Sequence, residues 1–278
     1  MNCLKKEKKL AVLAALVEGN SIRSIERMTG INRNTIMGLL NRVGYGCEEL
    51  LHEKMRNLNC KNLQVDEIWC FVGKKQKNLT QIERESRPDL GTQFVFVALD
   101  ADTKLVPIFE IGKRDGVTAT KLMLNLKRRL TNHVQITTDA FNAYYDAIDI
   151  AFGDRVDYAQ LHKRFAGSGE HRYSPPTISG VFHVIMQGSP RKKNISTSYV
   201  ERQNLTMRMQ MRRFTRLTNG FSKKLENLRA SISLHFANYN FCRIHQTLRC
   251  TPAMEAGITR RLWNIEDLLK YEMSYNSN

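Results

Sequence analysis

Three β-rich runs joined through turns, then an amphipathic helix, then a fourth β-rich run, decide most of what this chain can become. LQVDEIWCFV (63–72), QFVFVALDAD (93–102) and KLVPIFEIG (104–112) are dense in Val, Ile, Leu and Phe, and their order predicts an antiparallel meander. Thr118–Leu130 reads as a helix with Thr118 as its cap, HVQITTD (133–139) as a fourth strand, and Phe141–Ile150 as a further helix. A crossover helix between strands three and four lets strand four lie parallel to strand one and beside it. The result is an α/β fold, a mixed sheet with flanking helices. A hydrophobic content of 42% supports a substantial core.

This order brings two carboxylates together. Asp66 falls in the middle of the first strand and Asp139 at the end of the fourth. An acidic residue inside an apolar strand is costly unless it is paired or bound to a metal. A third carboxylate, Glu201, follows an irregular insert over 151–195 that contains Gly167, Gly169, Pro175, Pro176 and Pro190. It opens a helix expected over Ile195–Leu217, with Ser196, Thr197 and Ser198 offering hydroxyl caps. At 100° per residue Glu201, Asn204, Arg208 and Arg212 share one face. Such a face suits a metal ligand beside a DNA backbone, with phosphate-binding groups beyond it; the bland alternative is a solvated charged face. Three carboxylates form a hard oxygen site for Mg²⁺ or Mn²⁺. Asp100 and Asp102 also end a strand, and a single buried Asp is often structural.

In front of this core lies an all-α signature. Residues 4–18 read as a helix stopped at Gly19-Asn20. Ser21 caps a second over Ile22–Met28, and Asn32 caps a third over Arg33–Val43, ended by Gly44. The pattern is that of a helix-turn-helix over 1–45, whose third helix opens with Arg33, Asn34 and Thr35, residue types that read base edges. A plain helical hairpin is the alternative. Residues 46–62 read as a helical linker, 63–259 as the main domain and 260–278 as a polar, frayed tail.

Charge narrows the partner. Lys and Arg total 43 against 27 Asp and Glu, a net +16, which points to a polyanion. Lys192 and Lys193 would add to that surface. No apolar run reaches the ~18 residues of a membrane span. The six cysteines lack paired spacing, which predicts reduced cytoplasmic thiols.

Four segments carry a resemblance. LQVDEIW, DYAQLHK (157–163), STSYVERQNLTMRMQMRRFTRLTNGFSKKLEN (196–227) and YNFCRIHQTLRCTPAMEAGIT (239–259) resemble insertion-sequence transposases of the IS-one type, and Asp66, Asp139 and Glu201 look like their DDE triad. The resemblance implies a ribonuclease-H-like catalytic domain that hydrolyses the ends of a mobile element and joins them to target DNA. It implies two Mg²⁺ or Mn²⁺ ions held by Asp66, Asp139 and Glu201, and terminal inverted repeats as the sequence recognised; on the helix face described above, Asn204, Arg208 and Arg212 would contact phosphates. It also implies a homo-oligomer on DNA at a prokaryotic nucleoid, with no membrane partner. Members of that family often carry an N-terminal cysteine zinc motif. This chain has no CxxC, and Cys242-x-x-His245 lacks a second half, so zinc is not expected. A helix-turn-helix regulator without chemistry and a nuclease that does not join strands are the competing classes.

Overall fold

The computed structural model describes residues 4–166, 177–215 and 218–273. Three helices open the chain: α1 (Lys6–Val17), α2 (Ile22–Thr29) and α3 (Arg33–Lys54). Ser21 Oγ accepts the Ser24 amide at 3.0 Å, Asn32 Oδ1 accepts the Asn34 amide at 2.9 Å, and Gly30 closes α2 at φ 68°. The two caps expected from sequence are therefore formed.

The expected stop at Gly44 is not. α3 runs through Gly44 and Gly46 to Lys54. These glycines permit close approach rather than end the helix. A Cβ on Gly44 would stand 2.4 Å from the Ala230 carbonyl oxygen, and one on Gly46 would stand 1.6 Å from that of Tyr271. Gly inside a helix costs about 1 kcal/mol against Ala, which the packed neighbours offset here.

The sheet comes next. Strands β1 (Asn62–Val72), β2 (Gly91–Asp100) and β3 (Ile108–Gly112) form the expected meander, with the capped helix α4 (Gln81–Ser86) in the first connection. The crossover helix α5 (Gly116–Lys127) starts earlier than expected, because Asp115 caps it by accepting the Thr118 amide at 2.9 Å. β4 (Val134–Thr138) then pairs parallel to β1, from Asn62 opposite Gln135 to Val65 opposite Thr138. After α6 (Ala143–Phe152) the insert proves not to be irregular. It holds β5 (Val156–Ala166), parallel to β4, and β6 (Thr177–Gln187), antiparallel to β5. Of the Gly and Pro residues that suggested a loop, Gly167, Gly169, Pro175 and Pro176 lie outside the described residues, and Pro190 follows β6. The sheet order is β3-β2-β1-β4-β5-β6, the mixed α/β architecture expected, extended by the two strands β5 and β6.

The helix that carries Glu201 is shorter than its composition predicts. α7 (Ser198–Gln210) ends where Met211 turns extended, and a 3₁₀ turn follows over Arg212–Phe214. Both Met211 and Phe214 are buried, so the break delivers two apolar side chains to the core. Arg212 accordingly lies off the helix that was expected to carry it. α8 (Leu225–Ala237) packs on α3 and continues as a π-turn over Asn238–Cys242. In that turn buried Asn240 exchanges hydrogen bonds with both backbone groups of Val106, at 2.9 and 3.0 Å.

The C-terminal segment is no frayed tail through Met273. α9 (Pro252–Glu255) and α10 (Ile265–Leu269) are ordered, and Glu272 accepts from Lys9 at 2.6 Å and Arg42 at 2.9 Å, clamping α1 to α3. One apolar cluster runs from Val12 through the sheet to Leu268. The three-helix unit thus shares its core with the sheet; of the expected linker, residues 46–54 are the continuous end of α3 and 55–61 lead into β1.

Candidate active site

The β1–β4 register builds the site. Val65 is paired with Thr138, so Asp139 follows the last paired residue of β4 and stands beside Asp66. Side chains alternate faces along a strand: Asp66 turns to α7, where Asn204 donates to it at 2.8 Å, and Glu67 turns to α6, where Tyr144 donates to it at 2.9 Å. Because β4 stops at this point, the two faces meet there. Carboxylate oxygens of Asp66, Glu67 and Asp139 lie within 4.8 Å of one another.

Their charge is poorly compensated. Burial, followed by repulsion from Glu67 and Asp139, pushes Asp66 up to about 7. Burial also raises Glu67 and Asp139. Arg114 provides the relief: its guanidinium hydrogen-bonds Glu67, lies 3.6 Å from Asp139, and rests 4.2 Å over the Phe141 ring. The Phe141 amide adds a hydrogen bond to Asp139 at 3.1 Å.

Glu201, expected as the third ligand, is not in this cluster. Its charge reaches both Asp66 and Asp139, but its carboxylate is engaged by Lys163 of β5 and by the Thr197 hydroxyl. Thr197 occupies the N-cap position without capping the backbone; its hydroxyl goes to Glu201 instead. Glu67 is the residue that sequence reasoning missed. Strand alternation assigns it to the opposite face from Asp66, and only the early end of β4 makes that assignment misleading. The adjacent acidic pair in VDEIW was the available signal.

Of the expected DNA-contacting residues, Arg33, Asn34 and Thr35 are exposed at the start of α3, and Lys192 and Lys193 are exposed on a 3₁₀ turn. Arg208 is half-buried on α7 and Arg212 is exposed beyond its end. Asn204 is different. It is buried against Asp66, so it belongs to the carboxylate site rather than to a surface for phosphates. His245 hydrogen-bonds Thr247 at 2.9 Å within its own turn.

The donor set fits a divalent cation. Three hard oxygen donors repel one another, and the buried Oδ1 of Asn204, beside them, has no hydrogen-bond partner. A cation at the carboxylates would relieve the repulsion that raises Asp66. Among the described residues no helix is long and apolar enough to cross a membrane.

No protein-family model and no curated protein matches the chain. Among solved structures, it is similar to a Mos1 transposase paired-end complex with the left transposon end, at 15% identity and a TM-score of 0.21, over 54% of this chain and 58% of that one. It is similar also to a piggyBac transposase synaptic complex with hairpin DNA, at 9% identity and a TM-score of 0.42, over 98% and 73%. The chain thus spans less than two thirds of the Mos1 protein it matches. Likenesses this slight do not bear on the chemistry of the carboxylate site, which rests on its own geometry.

Proposed function

We propose that this protein is a metal-dependent DNA transposase of the IS-one type. Asp66 and Asp139 are its principal metal ligands, and Glu201 completes the site when Lys163 releases it. The observation that carries the reading is the meeting of Asp66, in β1, with Asp139, at the end of the parallel neighbour β4, half-buried and short of positive charge. Mg²⁺ or Mn²⁺ ions held there would activate the attacking oxygen and stabilise the leaving one at a phosphodiester.

The chain's own residues do the rest. Asn204 fixes the orientation of Asp66 through its 2.8 Å hydrogen bond. Tyr144 and Arg114 hold Glu67 against the cluster. Lys163 holds Glu201 beside the two aspartates. Arg33, Asn34 and Thr35 at the start of α3 read the element's terminal repeats, while Arg208, Arg212, Lys192 and Lys193 contact phosphates. The apolar side chains exposed on edge strand β6, Ile178, Val181, Phe182 and Ile185 among them, suit a second copy of the chain in an assembly on DNA.

The test is incubation with labelled element ends, a target plasmid and Mg²⁺, scored for cleavage and joining. The expected result is both, with Asp139→Asn and Glu201→Gln each abolishing cleavage while end binding survives. Cleavage without joining would make the protein a nuclease on the same fold. Binding without either would make it a regulator.

A further inference from the structure

A cleft of about 790 Å³ separates the three-helix unit from the turn that follows α7. It lies beyond the far end of α7 from Glu201. Nine residues at 1.5 Å each put Gln210, on its wall, roughly 14 Å along the helix from that carboxylate. Its floor is apolar, with Val17, Leu40, Met211 and Leu234. Its polar walls carry Arg23, Arg33, Arg212, Arg213 and Lys223, and no Asp or Glu is among the described residues that line it. His235 also lines it, but burial holds its pKa at about 3, so it adds no charge at neutral pH.

Arg213 is a second, independent observation. Its guanidinium donates to Ser222 Oγ at 2.7 Å and to Met37 Sδ at 3.7 Å, and no carboxylate among the described residues pairs with it. Its pKa falls to about 10, with burial as the cause. This half-buried cation has no carboxylate beside it among the described residues, and an anion in the cleft would supply the missing counter-charge. Lys223 is held at the rim by its ammonium, 3.8 Å over the Phe221 ring.

We propose that this cleft binds single-stranded DNA, taking backbone phosphates on Arg23, Arg212, Arg213 and Lys223 and unstacked bases on its apolar floor. A paired base offers a protein only its edge in a groove. An unstacked base offers an apolar face. A cleft with an apolar floor and polar walls that carry cations but no carboxylate matches the second better than the first. The choice of DNA over other anions rests on the transposase reading. The cleft would hold the strand that separates from the duplex at an element end, in line with the carboxylates.

The experiment uses the full chain in EDTA, so no cleavage enters the readout. Binding of a labelled oligothymidylate, and of a labelled duplex of equal length, is followed by fluorescence anisotropy across a salt titration. The double variant Arg23→Ala/Lys223→Ala changes two exposed side chains, so the fold is kept. It should flatten the single-strand slope of log K against log salt by about 1.4, at ~0.7 for each phosphate contact, and leave the duplex slope less affected. Ser231→Phe, which fills the cleft from α8, should weaken single-strand binding about ten-fold and duplex binding little. Unchanged single-strand binding in both variants overturns the proposal, as does an equal loss for duplex. Free thymidine monophosphate binding as tightly as the oligonucleotide would also overturn it, making the site one for a nucleotide rather than a strand. Joining activity with a cleft indifferent to single strands would remove this inference and leave the function standing. Single-strand binding in the cleft without any cleavage would do the reverse.

Discussion

Asp66 should make the metal-free protein weaker, and weaker in a particular pH window. Burial and two neighbouring carboxylates carry it from 3.8 in the unfolded chain to about 7 in the fold. The folded state therefore holds this proton more tightly than the unfolded state does. Stability from this group is fully present at low pH, is lost as pH rises from about 4 to about 7, and stays lost above. At roughly 1.4 kcal/mol for each pH unit of that interval, the loss is ~4 kcal/mol. Repulsion shared with Glu67 and Asp139 spreads the loss over the cluster, so one substitution should recover about 2–4 kcal/mol. Asp66→Asn keeps the shape and removes the charge. In EDTA at pH 8 it should unfold at higher urea than the wild type, and the difference should shrink towards pH 5. Saturating Mg²⁺ should reverse the order, because a cation bound only by the folded wild type stabilises it by mass action. If Asp66→Asn is no more stable than wild type at pH 8 in EDTA, the carboxylates are not in conflict and the cation-site argument fails.

Glu67→Gln keeps the Tyr144 contact and loses the ion pair with Arg114; Mg²⁺ affinity, read by titration calorimetry, should fall about 10- to 100-fold, and an unchanged value would remove Glu67 from the site. Gly44→Ala places a methyl 2.4 Å from the Ala230 carbonyl oxygen and should cost about 1–3 kcal/mol in urea unfolding; wild-type stability would mean that α3 and α8 can part freely. Deleting residues 1–45 severs α3 and uncovers the apolar face of α8, so the remainder should lose its cooperative transition in circular dichroism; a cooperative melt would show that the sheet carries its own core.

What was legible in the sequence came from patterns with strong local physics. Runs dense in Val, Ile, Leu and Phe, separated by turns, pointed to β1 to β4. The single crossover helix gave the parallel β1–β4 pair, and that pair put Asp66 beside Asp139. Ser21 and Asn32 announced their helices through short-range hydrogen bonds. The illegible parts depend on contacts between distant segments. Gly44 reads as a helix stop until Ala230 is seen against it. β5 reads as loop because Asp157, Gln160, His162 and Lys163 interrupt its apolar residues, and its partners β4 and β6 supply what local propensity does not. The helix expected through Leu217 breaks at Met211 because the core needs Met211 and Phe214, a demand that helix propensity cannot anticipate.

The position of Glu201 is a matter of charge. Asp66, Glu67, Asp139 and Glu201 are four carboxylates, and the cations paired with them are Arg114 and Lys163. With all four ionised, two negative charges stay uncompensated, in a place where burial already raises three of the acids. Moving Glu201 into the cluster and leaving Lys163 behind would add one more. Its ion pair with Lys163 is therefore the arrangement expected of the site before positive charge arrives. One divalent cation would neutralise the surplus, and a second would leave an excess of positive charge to receive a phosphate. Lys163→Met should then do two things. It should lower the Mg²⁺ concentration needed to fill the site by freeing Glu201 for the ion, and it should lower metal-free stability at pH 8 by leaving Glu201 unpaired beside Asp66 and Asp139. The two effects are read separately, by titration calorimetry and by urea unfolding in EDTA. A variant with weaker Mg²⁺ binding and unchanged stability would mean that Lys163 orders the site without restraining Glu201.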